Sequence, residues 1–293
     1  MNRIQGYVVK VWPLFPAILY LVSFQFIVLI YLLVLSLTAA GEPGSFPTVS
    51  TFSQLFGDRQ FWQALNNTIV FTVIGTPLEL LVGLFTALLL YRSFFGRNLI
   101  RSMFLIPLAI PALVTAMLIY ILFDYPGGHV NHLLLGNYPI LPRLINAPVS
   151  WRASQFTAMM LSLIGKVWRD MPISMLILLT GFNTIDSEIL DAAKTMGATL
   201  RHRLFTIILP LIIPSISIVL LLRSVEMWKE FIFPFVLAGR FRFLGTLIDY
   251  YYNDIGNPHS AAAVALVMVV CIITTSMVLS KVVSLMKKVM LAV

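Results

Sequence analysis

The chain has 293 residues, 59% of them hydrophobic and only 11% charged, with a mean hydropathy of +0.92. Soluble domains run at roughly 45–50% apolar and about 25% charged, so a water-covered fold, a disordered chain and a disulfide-framed module are excluded, the last also by the single cysteine, Cys271. A net charge of +8 without basic stretches interleaved by aromatics reads as loop charge beside a bilayer rather than a nucleic-acid surface.

A helix needs about 20 apolar residues to cross a membrane. Val11 to Gly41 carries no charge and holds a first predicted span, too long for the apolar core of a cleavable leader. Phe61 to Tyr91 holds a second, with Glu79 alone inside it, and Ser102 to Phe123 is an uncharged third. The fourth reads as broken: Ala153 to Gly165, then Lys166, Arg169 and Asp170, then Met171 to Ile185. The fifth starts at Leu204 to Leu222, meets Arg223, Glu226, Lys229 and Glu230, and resumes over Phe231 to Gly239. The sixth lies within Ile255 to Ser280. The expected fold is an all-α integral membrane protein of six transmembrane helices.

Lys and Arg set the orientation. With the N-terminus inside, the inner segments hold Arg3, Lys10, Arg92, Arg97, Arg101, Lys194, Arg201, Arg203, Lys281, Lys287 and Lys288, against Arg59, Arg143, Arg152, Arg240 and Arg242 outside. Both termini are therefore expected in the cytoplasm, with Trp12 and Tyr91 at the interfaces. The outer loop from Asp124 to Arg152 carries turn residues, Tyr125-Pro126-Gly127-Gly128 and Pro139, Pro142 and Pro148.

Signatures of enzyme chemistry are missing from the sequence. The one Gly-Lys pair, Gly165-Lys166, is followed by Val167, which lacks the magnesium-binding hydroxyl of a phosphate loop. His129 and His132 lie three apart in an irregular loop with no further clustered ligand and read as solvent-exposed.

The most informative stretch joins spans four and five. Asp186 suits an N-cap, with Glu188 in the first turn, and Ile185, Ile189, Ala192 or Ala193, and Met196 form one apolar stripe. Gly197 stops this short helix, and Leu200, Leu204 and Ile207 begin a second helical pattern running through Leu209-Pro210 into span five. The pattern suits an elbow beneath the membrane that a partner grips; it also suits a helix resting on headgroups.

The stretch resembles the cytoplasmic loop of binding-protein-dependent ABC importer permeases: Glu-Ala-Ala, three residues, Gly, nine residues, Ile, one residue, Leu-Pro. Here Asp191-Ala192-Ala193, Gly197, Ile207 and Leu209-Pro210 meet every spacing, with Asp191 in place of Glu as the one departure. Asn67-Thr68, Arg101, Pro107, Gly128, Asn131, Trp168, Pro172, Trp228 and Phe231 resemble the carbohydrate-uptake branch, the maltose and glycerol-phosphate-ester type. The resemblance implies a type I ABC importer permease fold with a coupling helix between helices 4 and 5, and coupling residues Asp191, Ala192, Ala193, Met196, Gly197, Ile207, Leu209 and Pro210. It divides the chain into an N-terminal segment over 1–60, a permease core over 61–283 and a cytoplasmic tail over 284–293. It also implies a second permease, two ATPase subunits that bind ATP and Mg, and an extracytoplasmic solute-binding protein. The chain itself is then a non-catalytic subunit without cofactor in a prokaryotic inner membrane.

Charges at membrane depth face a cavity or a partner. Arg223, Glu226 and Glu230 share one helical face with Lys229 near Glu226, and Lys166, Arg169 and Asp170 sit beside Trp168. One reading is an ion ladder that pairs with itself. The other is a polar wall for a hydroxyl-rich solute, with Trp168, Arg169, Glu226, Trp228, Lys229, Glu230 and Phe231 as its residues. Glu79 is expected to meet a basic residue on another helix. Gly75 and Gly83 are expected to permit close helix packing, and the proline pairs Pro107/Pro111 and Pro210/Pro214 to kink their spans. The rival functions are a dimeric secondary carrier working without ATP and a membrane-embedded lipid enzyme; neither needs a docking loop of this spacing.

Overall fold

A computed structural model describes residues 12–39 and 45–291. Arg3 and Lys10 lie outside the described residues. The described residues form helices joined by loops, with no strand among them, and fall into two compact units, one from residues up to 61 with 247–267 and one from 62–246 with residues from 268 onward.

In the first unit, α1 (Phe15–Ser36) is apolar on every side and exposed along its length. Its 22 residues span about 33 Å, close to the thickness of a hydrocarbon core. Past α1, Thr51 of α2 (Ser50–Gly57) donates its hydroxyl to the Thr38 carbonyl at 3.2 Å. The Tyr251 hydroxyl bonds the Asp58 carboxylate, and His259 Nδ1 lies 2.8 Å from the Leu35 carbonyl.

The second unit holds most of the chain. Helix α3 (Arg59–Tyr91) passes through Pro77 unbroken. It is built inside out: Thr68, Thr72, Thr76, Glu79 and Thr86 are buried along one face, and Val73, Leu81, Phe85 and Leu89 are exposed. That is the pattern of a helix whose outer solvent is lipid. A Cβ on Gly83 would come within 2.6 Å of Ser174 Cβ, and one on Gly75 within 2.7 Å of Met227 Sδ, so both glycines permit the expected close packing.

The third predicted span is not one straight helix. Helices α4 (Arg97–Ala109) and α5 (Ala112–Leu122) meet at 93°. Pro111 forces Ile110 out of the helical region, to ψ 130°, and cannot itself donate to the ladder. Pro107 is carried inside α4 without a break. Beyond α5, the fully buried Asn131 of α6 (His129–Leu134) stitches the outer loop. Its amide donates to the Asp124 and Val149 carbonyls at 3.0 and 3.1 Å, and its oxygen accepts from Val149 N–H and Trp151 Nε1. His129 and His132 take separate partners, Tyr138 and Asn137.

The fourth predicted span is continuous, correcting the expected break at Lys166–Asp170. Helix α7 (Gln155–Asn183) runs 29 residues, about 44 Å, capped by the Ser154 hydroxyl on the Thr157 N–H. It supplies Met175, Leu178, Leu179 and Phe182 to one apolar cluster, Ala158, Met159, Leu163 and Val167 to another, and Leu161 to a third. It is therefore the central post of this unit.

A 70° bend separates α7 from α8 (Ser187–Thr195). Helix α9 (Leu200–Leu211) contains a π-helical stretch, Arg203–Ile208, and turns by 68° into α10 (Ile213–Trp228). The predicted fifth span thus bends at Ile212, just after Pro210 and before Pro214. Past α10 come a π-helical turn, Pro234–Ala238, the short α11 (Leu244–Asp249) and the long α12 (Pro258–Leu291). Asn67 and Thr68 tie α3 to the segment before α11, through the Arg242 carbonyl at 2.8 Å and the Leu244 N–H at 2.9 Å. By length and composition α1, α3 and α12 can each cross a membrane, and the three bent pairs α4/α5, α7/α8 and α9/α10 bring the total to six if each is one crossing.

Candidate solute pathway and docking helix

Lys166 and Asp170 are the twelfth and sixteenth residues of α7, near its middle, between two of its apolar clusters. Four residues apart, they share one face and pair at 2.5 Å. Lys166 also reaches Glu230, past the end of α10, at 2.9 Å. Arg169 pairs with Asp170, and its Nε donates at 3.4 Å to the Ile110 carbonyl freed by the break before Pro111. One residue run on α7 thus binds both the α4/α5 elbow and the end of α10.

A second group lies on α3 and α10. Arg223 and Glu79 are fully buried and face each other at 3.5 Å, while Arg223 Nη1 pairs with Glu226 at 2.5 Å. Arg223 is therefore the basic residue that Glu79 requires. Glu230 does not continue the ladder along α10; it turns to Lys166, and its other oxygen accepts from the Phe233 N–H, starting the next turn. The layer holds four acidic groups (Glu79, Asp170, Glu226, Glu230) and four basic ones (Lys166, Arg169, Arg223, Lys229), so it is neutral as a whole. Lys229 is exposed and, among the described residues, has no acidic partner.

These two groups border a cavity of about 370 Å³ lined by Lys166, Arg169, Asp170, Glu226, Lys229, Glu230 and Phe231, with Leu108 and Ala112 from the α4/α5 elbow. Five of the seven residues predicted for the pathway come together here: Arg169, Glu226, Lys229, Glu230 and Phe231. The tryptophans do not line it. Trp228 is buried and donates its indole N–H to the Thr275 hydroxyl of α12 at 3.1 Å. Trp168 is 45% exposed on the same open face of α7 as Ile164. Phe231 stacks on Phe235 with ring centroids 5.0 Å apart. Lys166 and Asp170, weighed as part of the same charged mix, also line the cavity, and the α4/α5 elbow at the expected proline kink closes one side of it.

The second site is α8. The Asp186 side chain accepts the Glu188 N–H at 3.1 Å, Glu188 lies in the first turn and Lys194 in the last, so both helix ends are complemented. The stop after it is a Schellman motif: Ala198 N–H bonds the Ala193 carbonyl and Gly197 N–H the Lys194 carbonyl, both at 2.9 Å, with Gly197 at φ +79°. Asp191 pairs with Lys194 at 2.6 Å. Ala193 is buried, whereas Asp191, Ala192, Ile189 and Met196 are exposed, Met196 at 87%. The predicted stripe splits: Ile185 and Ala193 hold the helix to its own chain, and Ile189, Ala192 and Met196 form an uncovered apolar face. Ile207, Leu209 and Pro210 are half-buried in α9, behind the elbow.

The chain is similar to known transport proteins. Residues 79–286 match the family described as binding-protein-dependent transport system inner membrane component. The trehalose/maltose transport system permease protein MalF of Thermococcus litoralis is 28% identical over 241 residues, 81% of this chain and 79% of that protein. The sulfoquinovosyl glycerol transport system permease protein SmoG of Agrobacterium fabrum is 33% identical over 207 residues, 70% of this chain and 64% of that protein. Among solved structures, a chain of a bacterial alginate ABC transporter in complex with an alginate pentasaccharide-bound periplasmic protein matches with a TM-score of 0.82. The match is 17% identical, covers 98% of this chain and 99% of that one, and establishes likeness of fold.

Proposed function

The chain belongs to the binding-protein-dependent transport system inner membrane components, and on that premise we propose that this permease subunit of an ATP-driven importer moves a sugar or sugar-like solute through the cavity between α7 and α10, driven through α8. The observation that carries the reading is the capped, rigid α8 with its apolar face uncovered. Such a face is suited to being covered by a partner.

In this reading two ATPases bind ATP and Mg, one of them gripping the face of Ile189, Ala192 and Met196 around Gly197. Asp191 lies roughly 130° around α8 from that face, paired with Lys194. Closure of the ATPase pair displaces α8, and the half-buried Ile207, Leu209 and Pro210 pass the displacement to α10, whose charged end borders the cavity. The chain supplies no chemistry and no nucleotide site; it alternates between two packings whose equilibrium the ATPase and the solute bias. A second, related permease completes the pathway, with Trp168 and Ile164 on the α7 face presented to it. A binding protein delivers the solute from outside, and both termini lie in the cytoplasm.

Sugar cargo is supported by the relatives, named for trehalose/maltose and sulfoquinovosyl glycerol, and by the cavity wall. Arg169 and Lys229 present donors and Glu226 and Glu230 acceptors, a mixture suited to hydroxyls, and Phe231 offers a ring face for the apolar side of a sugar. Lys166 holds Glu230 in position, and Trp228 fixes α10 to α12 without touching cargo.

The test is reconstitution with the cognate subunits. Gly197→Trp places a side chain at φ +79° on the gripping surface. Co-purification of the ATPase and solute uptake are both expected to be lost while the chain still inserts. Normal assembly and uptake in that variant would remove the docking role.

A further inference from the structure

A second face of α8 borders a different feature. Between α3, α8 and α9 lies a groove of about 680 Å³. Its walls are apolar: Phe85 and Leu89 from the last turns of α3, Leu190 from α8, Leu204 from α9. Its rim carries three cations, Arg92, Lys194 and Arg203, and no acidic side chain lines it. Lys194 is paired with Asp191. Among the described residues neither Arg92 nor Arg203 has an ion-pair partner. The Nε of Arg203 is buried and meets no hydrogen-bond acceptor among the described residues. A buried donor of a charged group without an acceptor is costly, and an anion is its natural complement.

We propose that this groove is a binding site for an anionic phospholipid. Its acyl chains lie along Phe85 and Leu89, and its phosphate sits between Arg92 and Arg203, completing the Arg203 Nε. Charge and shape select this occupant. The apolar wall begins on the lipid-exposed face of α3, and the cations lie where that face ends, as a headgroup above its chains requires. A free phosphate would satisfy the arginines and leave the apolar wall bare. An ATPase is already accommodated elsewhere: at about 100° per residue, Leu190 and Lys194 point roughly 120° around α8 from Ile189 and Met196. The choice of a lipid over an ATPase rests on the docking reading of α8; the groove's apolar walls and its cations do not.

Native mass spectrometry of the assembled transporter, equilibrated with mixed micelles of phosphatidylglycerol and phosphatidylcholine, tests it. Phosphatidylglycerol is expected to be retained in preference. Arg92→Gln should weaken retention about fivefold, and Arg92→Gln with Arg203→Gln about thirtyfold. Arg92 is exposed, so its single variant remains informative if the double variant fails to fold. Leu89→Trp, which fills the groove and leaves the cations, should lower lipid retention as well. Equal retention of the two lipids, or retention unchanged in Arg92→Gln, overturns the proposal. Displacement of the lipid by inorganic phosphate with no effect of Leu89→Trp assigns the site to a free anion and overturns it too. So does loss of the ATPase in Arg92→Gln with lipid retention unaltered, which makes the groove a protein seat.

Discussion

The charged layer at mid-length of α7 and the elbow helix α8 handle opposite mismatches. In the layer, polar groups sit where apolar ones belong, and the chain supplies counter-charges from its own helices: Lys166 for Asp170 and Glu230, Arg223 for Glu79 and Glu226. In α8, apolar side chains sit at the surface, and the described residues leave Ile189 and Met196 exposed. The costs explain the contrast. An unpaired ion in a low-dielectric interior costs several kcal/mol, so its partner has to be part of the fold. Exposed apolar surface costs roughly 25 cal/mol per Å², which a folded chain can carry until a second protein arrives. Within the layer itself, Lys229 is the exception: a cation at the cavity edge with no partner among the described residues.

The sharpest way to break this comparison is Arg223→Met. It strands Glu79 and Glu226, and the expected loss is about 3–5 kcal/mol of stability, read as a lowered melting temperature in detergent. The double change Glu79→Gln with Arg223→Met should recover most of that loss, since replacing both members of a buried pair is often close to neutral; a double variant as unstable as the single would show that Arg223 packs rather than pairs. Next in size is Ile189→Asp in α8, expected to cost about 2 kcal/mol of ATPase association while the melting temperature of the chain alone stays unchanged. A drop in that melting temperature would mean that Ile189 belongs to the chain's own core. The smallest effect is expected for Lys229→Gln: about a fivefold rise in the KM for uptake, with stability and assembly intact. An equal rise for Lys166→Gln with no loss of stability would erase the distinction between a contact to cargo and a structural ion.

The elbow was legible in the sequence because its determinants are local. Asp186, Glu188 and Gly197 each act within one turn of their own position, and they cap and stop α8 as read. The break expected in the fourth span was misplaced because its determinants are not read from charge alone. The charges at Lys166, Arg169 and Asp170 suggested an interruption, yet α7 runs through them because Lys166 and Arg169 pair with Asp170 on the same helix, and Lys166 also meets Glu230, 64 positions further along. In the stretch from Ser102 to Phe123 the expected proline kink is realised at Pro111 as a turn of 93°, and the Ile110 carbonyl beside it meets Arg169.

Composition alone determined that this chain resides in a bilayer, since 11% charged residues cannot clothe a soluble fold of 293. Spacing alone determined the family of the Asp191–Pro210 segment and the placement of its caps, which depend on hydrogen bonds between near neighbours. Tertiary structure decided which charges pair, which of them border the cavity, and which tryptophan is buried. It also decided that α8 has two faces with different surroundings. Those outcomes rest on contacts between residues tens of positions apart, and in a membrane, where an unpaired ion finds no water to accept it, such contacts settle how each helix is turned.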